Sequence, residues 1–487
     1  MSGTAVTRGA FWVYGYRWLD RLLSFLTIVV LARILSREDF GLVAIAASVV
    51  AILEGLSDFD VNRALIRLRG EERELFDTGF TLSAIRGTLT AVLLLVVTAF
   101  LQDRAMVEVL WVLALSPLVL GLQNPRFVTF ERDLVYSRLA LVTLSAKVLS
   151  FGVTVAIALV YRSHWALVIG IVVQSFATAF LTYVAKNYRP RWSLARWRDI
   201  VSFSGWMSLA TAITTLSMQT DRLIVGRLLG VADAGSYYMT QRVGSLPTAE
   251  LVSPLQRVLF PSFAGMVTEP ARLRRAVAES VNVLGSLSLP AGIGFGLVAN
   301  EVVPLVLGER WTPIVPLLQI LVPYLGARAT LSMALPCVMA LGRTRLLAGV
   351  SFVYAWVHIP LFVAGTAAYG LRGAIVSIAV AGAVYTALNA WMLHRTVGLG
   401  PVEVAGQLVR PLVAASLMAA ALFALAQTPW VRLSGDGGVV SLGFKVATGA
   451  IVYGSVLSLL WRLQGRPAGV ERRALALWQS WRSVPGP

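Results

Sequence analysis

The sequence predicts an all-α polytopic membrane protein of about fourteen transmembrane helices, built as two parallel-repeat six-helix lobes plus two C-terminal helices. Three observations carry this expectation. The 487 residues are 57% hydrophobic and 14% charged, with mean hydropathy +0.73. A soluble domain holds about 25% charged residues, so this chain lacks the polar surface to meet water on all sides. Runs of ~20 apolar residues, long enough to cross ~30 Å of hydrocarbon, follow one another along its length. Finally, Ala32-Arg33-Ile34-Leu35-Ser36-Arg37-Glu38-Asp39-Phe40-Gly41 recurs as Gly226-Arg227-Leu228-Leu229-Gly230-Val231-Ala232-Asp233-Ala234-Gly235. Both copies read small-Arg-aliphatic-Leu, three variable residues, Asp, one variable residue, Gly, and each joins one apolar run to the next.

The spans follow in order, each bounded by the cations of its loops. Span one, 11–34, lies between Arg8 and the pair Arg33 and Arg37. Span two, 41–56, leads to Arg63, Arg67, Arg69 and Arg73, and span three, 78–101, to Arg104 alone. Span four, 106–122, ends at Arg126, Arg132 and Arg138; span five, 137–161, at Arg162. Span six, 165–185, enters a basic linker with Lys186, Arg189, Arg191, Arg196 and Arg198. Span seven, 200–229, has Arg227 at its far end, and span eight, 234–266, leads to Arg272, Arg274 and Arg275. Spans nine and ten, 276–307 and 313–341, are separated by Arg310 and followed by Arg343 and Arg345. Spans eleven and twelve, 346–369 and 371–393, enclose Arg372 and end at Arg395. Spans thirteen and fourteen, 404–426 and 439–463, enclose Arg432 and run into Arg462, Arg466, Arg472, Arg473 and Arg482.

Cations therefore collect at alternate ends, which places the richer side, with both termini, in the cytoplasm. The repeat copies follow spans one and seven. Six spans is an even number, so the halves are parallel repeats. A weaker echo sets Pro125 and Arg132 against Pro336 and Arg343, after spans four and ten. Spans thirteen and fourteen have no counterpart. The expected organisation is a lobe with basic linker at 1–199, a second lobe at 200–396, and two helices with a cytoplasmic amphipathic tail at 397–487.

The net charge of +17 raises nucleic acid as a partner, and the loop distribution of the arginines argues against it. Cys337 is the one cysteine, and His164, His358 and His394 are far apart, so neither a disulfide nor a metal site is expected. No cofactor is expected either. The first apolar run is too long for a signal peptide and carries Arg17, Asp20 and Arg21. Residues 186–199 and the tail around Trp478 and Trp481 read as interfacial helices lying on anionic lipid; ordinary positive-inside anchors are the alternative.

Ionisable groups within a span cost roughly 3 kcal/mol or more at mid-bilayer unless paired or hydrated, so each is a functional candidate. Arg17, Arg21, Arg86, Lys147, Arg222, Arg242, Arg257 and Arg328 face only Asp20, Asp221 and Glu250 at comparable depth. Asp20 is expected either to neutralise Arg17 or Arg21 or to be free for coupling, and Asp221 likewise with Arg222 or Arg242. Glu54, Glu108, Glu279 and Glu301 lie nearer the span ends, against Arg410 and Lys445, and do not reverse the surplus. A cationic surplus implies a hydrated cavity for an anion, and Arg forks onto phosphate oxygens in pairs. Pro247, Pro254 and Pro290 are expected to break spans eight and nine, as gating bends or as ordinary transmembrane prolines.

Leu35-Ser36-Arg37-Glu38-Asp39-Phe40-Gly41-Leu42-Val43-Ala44, with Leu56-Ser57-Asp58-Phe59 and Ala64-Leu65-Ile66, resembles the N-terminal signature of Wzx-type polysaccharide and O-antigen flippases. These belong to the polysaccharide transporter family of the multidrug/oligosaccharidyl-lipid/polysaccharide superfamily. Asp60 departs from the family's usual glycine. The resemblance implies export of a polyprenyl-pyrophosphate-linked oligosaccharide across the bacterial inner membrane by alternating access, through a cationic central cavity. It implies no enzyme activity, and as partners the lipid-linked oligosaccharide, membrane lipid, and a polysaccharide polymerase with other export proteins. Spans thirteen and fourteen would form a groove for the lipid tail. On this reading Arg17, Arg21, Arg86, Lys147 and Arg222 meet the phosphates, Tyr14, Gln174, Gln219 and Asn389 the sugars, and Arg242 is a further substrate-binding residue. Asp20, Asp221 and Glu250 are the candidates for ion coupling. Alternatives are a peptidoglycan-precursor flippase, a multidrug extruder, whose cationic substrates disagree with the surplus, and a membrane glycan polymerase, which the short outward loops disfavour.

Overall fold

The computed structural model describes residues 3–57, 61–67, 73–133, 135–427 and 438–465, and all its regular secondary structure is helical. Asp58, Phe59, Asp60, Arg69, residues 428–437 and residues 466–487 lie outside the described residues, as do the side chains of Tyr14, Arg63, Arg67 and Arg257. The helices are α1 Gly3–Ile34, α2 Arg37–Leu56, α3 Val61–Arg67, α4 Arg73–Thr98, α5 Arg104–Leu113, α6 Leu115–Gly121, α7 Thr129–Arg132, α8 Tyr136–Tyr161 and α9 Trp165–Ala185. They continue as α10 Trp197–Leu229, α11 Val231–Ala264, α12 Pro270–Leu297, α13 Ala299–Leu307, α14 Val315–Ala329, α15 Ala334–Ala340, α16 Thr344–Val397, α17 Pro401–Ala426 and α18 Val439–Leu463. The expected all-α membrane fold is present. Among the described residues ten helical stretches are long and apolar enough to cross a membrane. Those ten do not include α1, α10 and α11, which carry several of the charges singled out above. Large apolar side chains stand exposed along the helices, Phe180 at 68% and Trp356 at 67%, as a lipid-facing surface requires.

The chain forms two compact units, Met1–Tyr238 and Met239–Pro487. In the first, α8 packs on α1 and α9, α4 on α6, and α2 on α10. In the second, α12 packs on α14 and α17, and α17 on α18. Each unit contains a helix crossing made by a glycine pair in the same arrangement. A Cβ on Gly121 would meet the Ser83 carbonyl oxygen at 2.5 Å, and one on Gly326 would meet that of Ser288 at 2.6 Å. The partner glycines, Gly87 and Gly292, face Pro117 and Val322 in the same way. The same four-residue contact thus recurs in each unit, between α4 and α6 and between α12 and α14. Small residues permit such backbone approach where side chains do not.

The first copy of the loop repeat closes a capping box. Asp39 Oδ2 accepts from Ser36 N at 2.9 Å and from Ser36 Oγ at 2.8 Å, while Ser36 Oγ accepts from Asp39 N at 3.1 Å. These bonds satisfy donors left free at the start of α2. Asp39 Oδ1 also accepts from His164 N at 2.8 Å, tying α2 to the start of α9. The second copy differs because Gly230, at φ 95°, stands where the first has Ser36. Without that hydroxyl no capping box forms at Asp233.

Two expectations are corrected. Residues 187–194 are not an interfacial helix but an extended strap laid against the start of α4. Asp77 Oδ1 accepts from Tyr188 Oη at 2.6 Å and from Arg191 N at 2.9 Å; Thr81 Oγ1 accepts from Ser193 N at 2.9 Å. Tyr188 is buried under the Arg126 guanidinium, 4.7 Å from the ring centre. Burial, then Asp77, pushes its hydroxyl pKa well up. These side-chain acceptors hold the strap's backbone donors without a helix. The prolines, for their part, do not break spans eight and nine: α11 runs through Pro247, Pro254 and Pro261, and α12 through Pro290. A proline removes one backbone bond, which neighbouring helices can compensate. Gly370, at φ 61° and ψ −145°, does divide α16, where the sequence separates spans eleven and twelve.

Candidate functional site

In the first unit, α1 presents Arg17, Asp20 and Arg21, all half-buried. Arg17 Nε donates to Tyr16 Oη at 3.4 Å, and its guanidinium lies 5.9 Å from the Tyr16 ring centre. No ion pair joins Asp20 to Arg17 or Arg21 among the described residues. Lys147 is half-buried on α8, which packs along α1. Arg86 is half-buried on α4, one residue before the Gly87 crossing. Arg17, Lys147 and Arg222 have no carboxylate within ion-pair distance among the described residues.

On α10, Arg222 Nη1 donates to Gln219 Oε1 at 2.9 Å, and its guanidinium lies 5.1 Å from the Tyr238 ring centre. Gln219 Oε1 also accepts from Ser48 Oγ at 3.2 Å, fixing α10 against α2. Asp221 is buried and accepts from Tyr237 Oη at 3.0 Å. Gln219 and Arg222 are therefore brought together, and Asp221 lies next in chain with a separate hydroxyl partner. Gln174 lies elsewhere, in a cavity of about 310 Å³ walled by α2, α5, α6 and α9, with Glu54, Ser116, Ser175 and Thr178.

The second unit holds Arg242 and Glu250. Arg242 is exposed. Glu250 lines a mostly apolar cleft of about 670 Å³ between α11, α12, α17 and α18, with Pro247, Ser286, Pro290, Lys445 and Tyr453. At its wall Lys445 Nζ donates to Glu301 Oε1. Both groups are buried, at 6% and 3% exposure. The sequence places them only as span-end charges, and 144 residues separate the partners, so nothing local announces the pair. Removing one partner strands a buried charge: Glu301→Ala or Lys445→Ala is expected to destabilise by ~3–5 kcal/mol. The double replacement Glu301→Leu with Lys445→Met should restore most of that loss, read as the melting temperature of the purified protein. A double variant no more stable than either single one would show that the pair is not what each residue stabilises. Asn389, expected to meet sugars, is buried and donates to Tyr385 O at 2.8 Å.

Chemically, half-buried guanidinium and ammonium groups without carboxylate partners can replace water around an anion. An apolar cleft takes a hydrocarbon chain. Among the described residues no group of His, Cys, Asp and Glu is arranged to hold a metal ion.

The chain is similar to known proteins in sequence and in fold. The family model described as "Polysaccharide biosynthesis protein" matches residues 30–316. The lipopolysaccharide biosynthesis protein WzxC of Escherichia coli (strain K12) is 27% identical over 307 residues, 61% of this chain and 62% of that protein, so the match spans less than two thirds of it. The succinoglycan biosynthesis transport protein ExoT of Rhizobium meliloti (strain 1021) is 26% identical over 480 residues, 94% of each chain. Among solved structures, the lipid II flippase MurJ in an inward closed conformation superposes with a TM-score of 0.73 at 13% identity, covering 93% of this chain and 99% of MurJ. An inward-facing multidrug resistance transporter of the MATE family gives a TM-score of 0.59 at 14% identity, over 80% of this chain and 95% of that one. At these identities the structures establish a shared fold.

Proposed function

Since this chain belongs to the polysaccharide biosynthesis protein family, we propose that it is a flippase that carries a polyprenyl-pyrophosphate-linked oligosaccharide across the bacterial inner membrane by alternating access. The observation that carries this reading is the set of half-buried cations on long helices, Arg17, Lys147 and Arg222, with no carboxylate within ion-pair distance among the described residues; we place them at membrane depth. An uncompensated cation at that depth is costly unless an anion or water meets it. A cationic drug would be repelled there. The pyrophosphate is taken by Arg17, Arg21, Arg86, Lys147 and Arg222. Tyr14, Gln174 and Gln219 serve the sugars, and Arg242 is proposed as a further substrate-binding cation. One of Asp20, Asp221 and Glu250 is proposed to change ion occupancy during transport. The lipid tail lies in the cleft lined by α17 and α18. The movement requires no bond to be made or broken, so no enzyme activity is proposed.

Fourteen passes are proposed by counting α16 as two and adding α1, α10 and α11 to the remaining stretches. Both termini then lie in the cytoplasm. The division at 199 and 396 is proposed as the line of descent of the repeat, with the last two helices as an addition. The polymerase and other export proteins are proposed partners.

The test is ligand stabilisation of the purified full-length protein. Undecaprenyl pyrophosphate should raise the melting temperature more than undecaprenol, and an organic cation such as ethidium should leave it unchanged. At a hundredfold excess over Kd the stabilisation is about 2.7 kcal/mol. Stabilisation by ethidium but not by the pyrophosphate would favour the multidrug reading instead.

A further inference from the structure

The second unit contains a cation that the proposed pyrophosphate site does not use. Arg328 lies on α14, and its guanidinium sits 5.1 Å from the centre of the Tyr385 ring on α16. Tyr354 packs on Tyr385 at 4.9 Å and stacks on His358 at 5.1 Å with planes 17° apart. The Tyr324 side chain stands beside the same guanidinium. Arg328, Tyr324, Tyr354 and Tyr385 are each half-buried, so each keeps an accessible face. No carboxylate lies within ion-pair distance of Arg328 among the described residues. Aromatic faces attract a guanidinium, but that attraction is weaker than the cost of an unneutralised charge at membrane depth. The cluster is therefore incomplete without an anion.

The charge count and the shape limit which anion. A pyrophosphate brings more than one negative charge and calls for several cations, whereas this cluster offers a single one. A carboxylate brings one charge and matches the two parallel donors of a guanidinium. The tyrosine rings beside it supply an apolar platform with hydroxyl ends, suited to the mixed apolar and polar faces of a pyranose. We propose that Tyr324, Arg328, Tyr354 and Tyr385 form a binding site for a carboxylate-bearing sugar of the transported glycan, so that the chain prefers acidic over neutral oligosaccharides. This rests on the flippase reading above and names a class of substrate for it.

The test measures binding of a glucuronate trisaccharide and of the matching glucose trisaccharide to the purified full-length protein in lipid nanodiscs, with undecaprenyl pyrophosphate as a third probe. The acidic trisaccharide should bind about tenfold or more tightly than the neutral one, as expected for a charge-assisted pair. Arg328→Gln should remove that preference and leave pyrophosphate affinity unchanged. Tyr385→Leu should weaken both trisaccharides while the preference survives. These two variants act on different groups, so if Arg328→Gln fails to fold, the wild-type preference and the Tyr385→Leu result decide. Equal binding of the two trisaccharides by the wild type, with normal pyrophosphate binding, would overturn this inference and spare the flippase reading. Loss of pyrophosphate binding in Arg328→Gln would overturn it too, by placing Arg328 in the phosphate site. Absence of pyrophosphate binding in the wild type would count against the flippase reading, while the sugar preference is read independently.

Discussion

Gly41→Leu and Gly235→Leu are each expected to abolish export and to lower the amount of folded protein. The two glycines occupy equivalent positions in the loop repeat, and they pack on one another reciprocally. A Cβ on Gly41 would fall on the carbonyl oxygen of Val231, and a Cβ on Gly235 on that of Arg37. Val231 and Arg37 are themselves equivalent in the repeat, so the contact has a local two-fold character. Both obstacles are backbone atoms near the first turns of α2 and α11, which cannot swing aside as a flexible side chain can. Overpacking of a side-chain core costs ~1–3 kcal/mol, and a backbone clash exceeds that range because the helices themselves must part. Gly41→Ala should already show a reduced level, with the leucine variants more severe. The readouts are protein amount in the membrane and glycan export in the same cells. If leucine at both glycines leaves both unchanged, the repeat records ancestry and the close contact has no role.

Arg17→Ala is expected to eliminate export at a normal protein level. Arg17 has Tyr16 as its hydrogen-bond partner and no carboxylate within ion-pair distance among the described residues, so its removal strands no buried acid. Arg17→Lys keeps the charge but loses the fork, and should export about tenfold more slowly. Arg21, one turn further along the same face, should show the same order of effects on export. Normal export in Arg17→Ala and Arg21→Ala would remove the pyrophosphate role of α1. A lost protein level in Arg17→Ala would make its role structural.

The architecture was legible because membrane proteins write it in coarse signals. Apolar run length pointed to the helices, and among the described residues ten helical stretches are long and apolar enough to cross a membrane. Gly370 was legible as a break because a glycine between two apolar runs permits the positive φ found there. The prolines of α11 and α12 make no break, in keeping with the reading of them as ordinary transmembrane prolines, since a helix among neighbours tolerates them. The strap at 187–194 misled. Its aromatic residues and cations look like an interfacial helix, but Asp77, Thr78 and Thr81 supply acceptors from a segment more than a hundred residues earlier. Distance in sequence also hid the Glu301–Lys445 pair and the cluster around Arg328. Of the candidate site, the sequence could find the charged residues by type and depth. It could not tell that Gln219 is shared by Ser48 and Arg222, or that Arg242 is exposed.

The most direct test of the whole account follows lipid-linked glycan by leaflet in a bacterial host that lacks its own flippase. Without this chain the glycan should accumulate on the inner leaflet of the inner membrane, out of reach of an impermeant label added from the periplasmic side. Expression of the wild-type chain should move it to the outer leaflet, and expression of Arg17→Ala at the same level should not. Glycan that stays on the inner leaflet when the wild-type chain is present, with every upstream glycosyl transfer intact, would contradict the account.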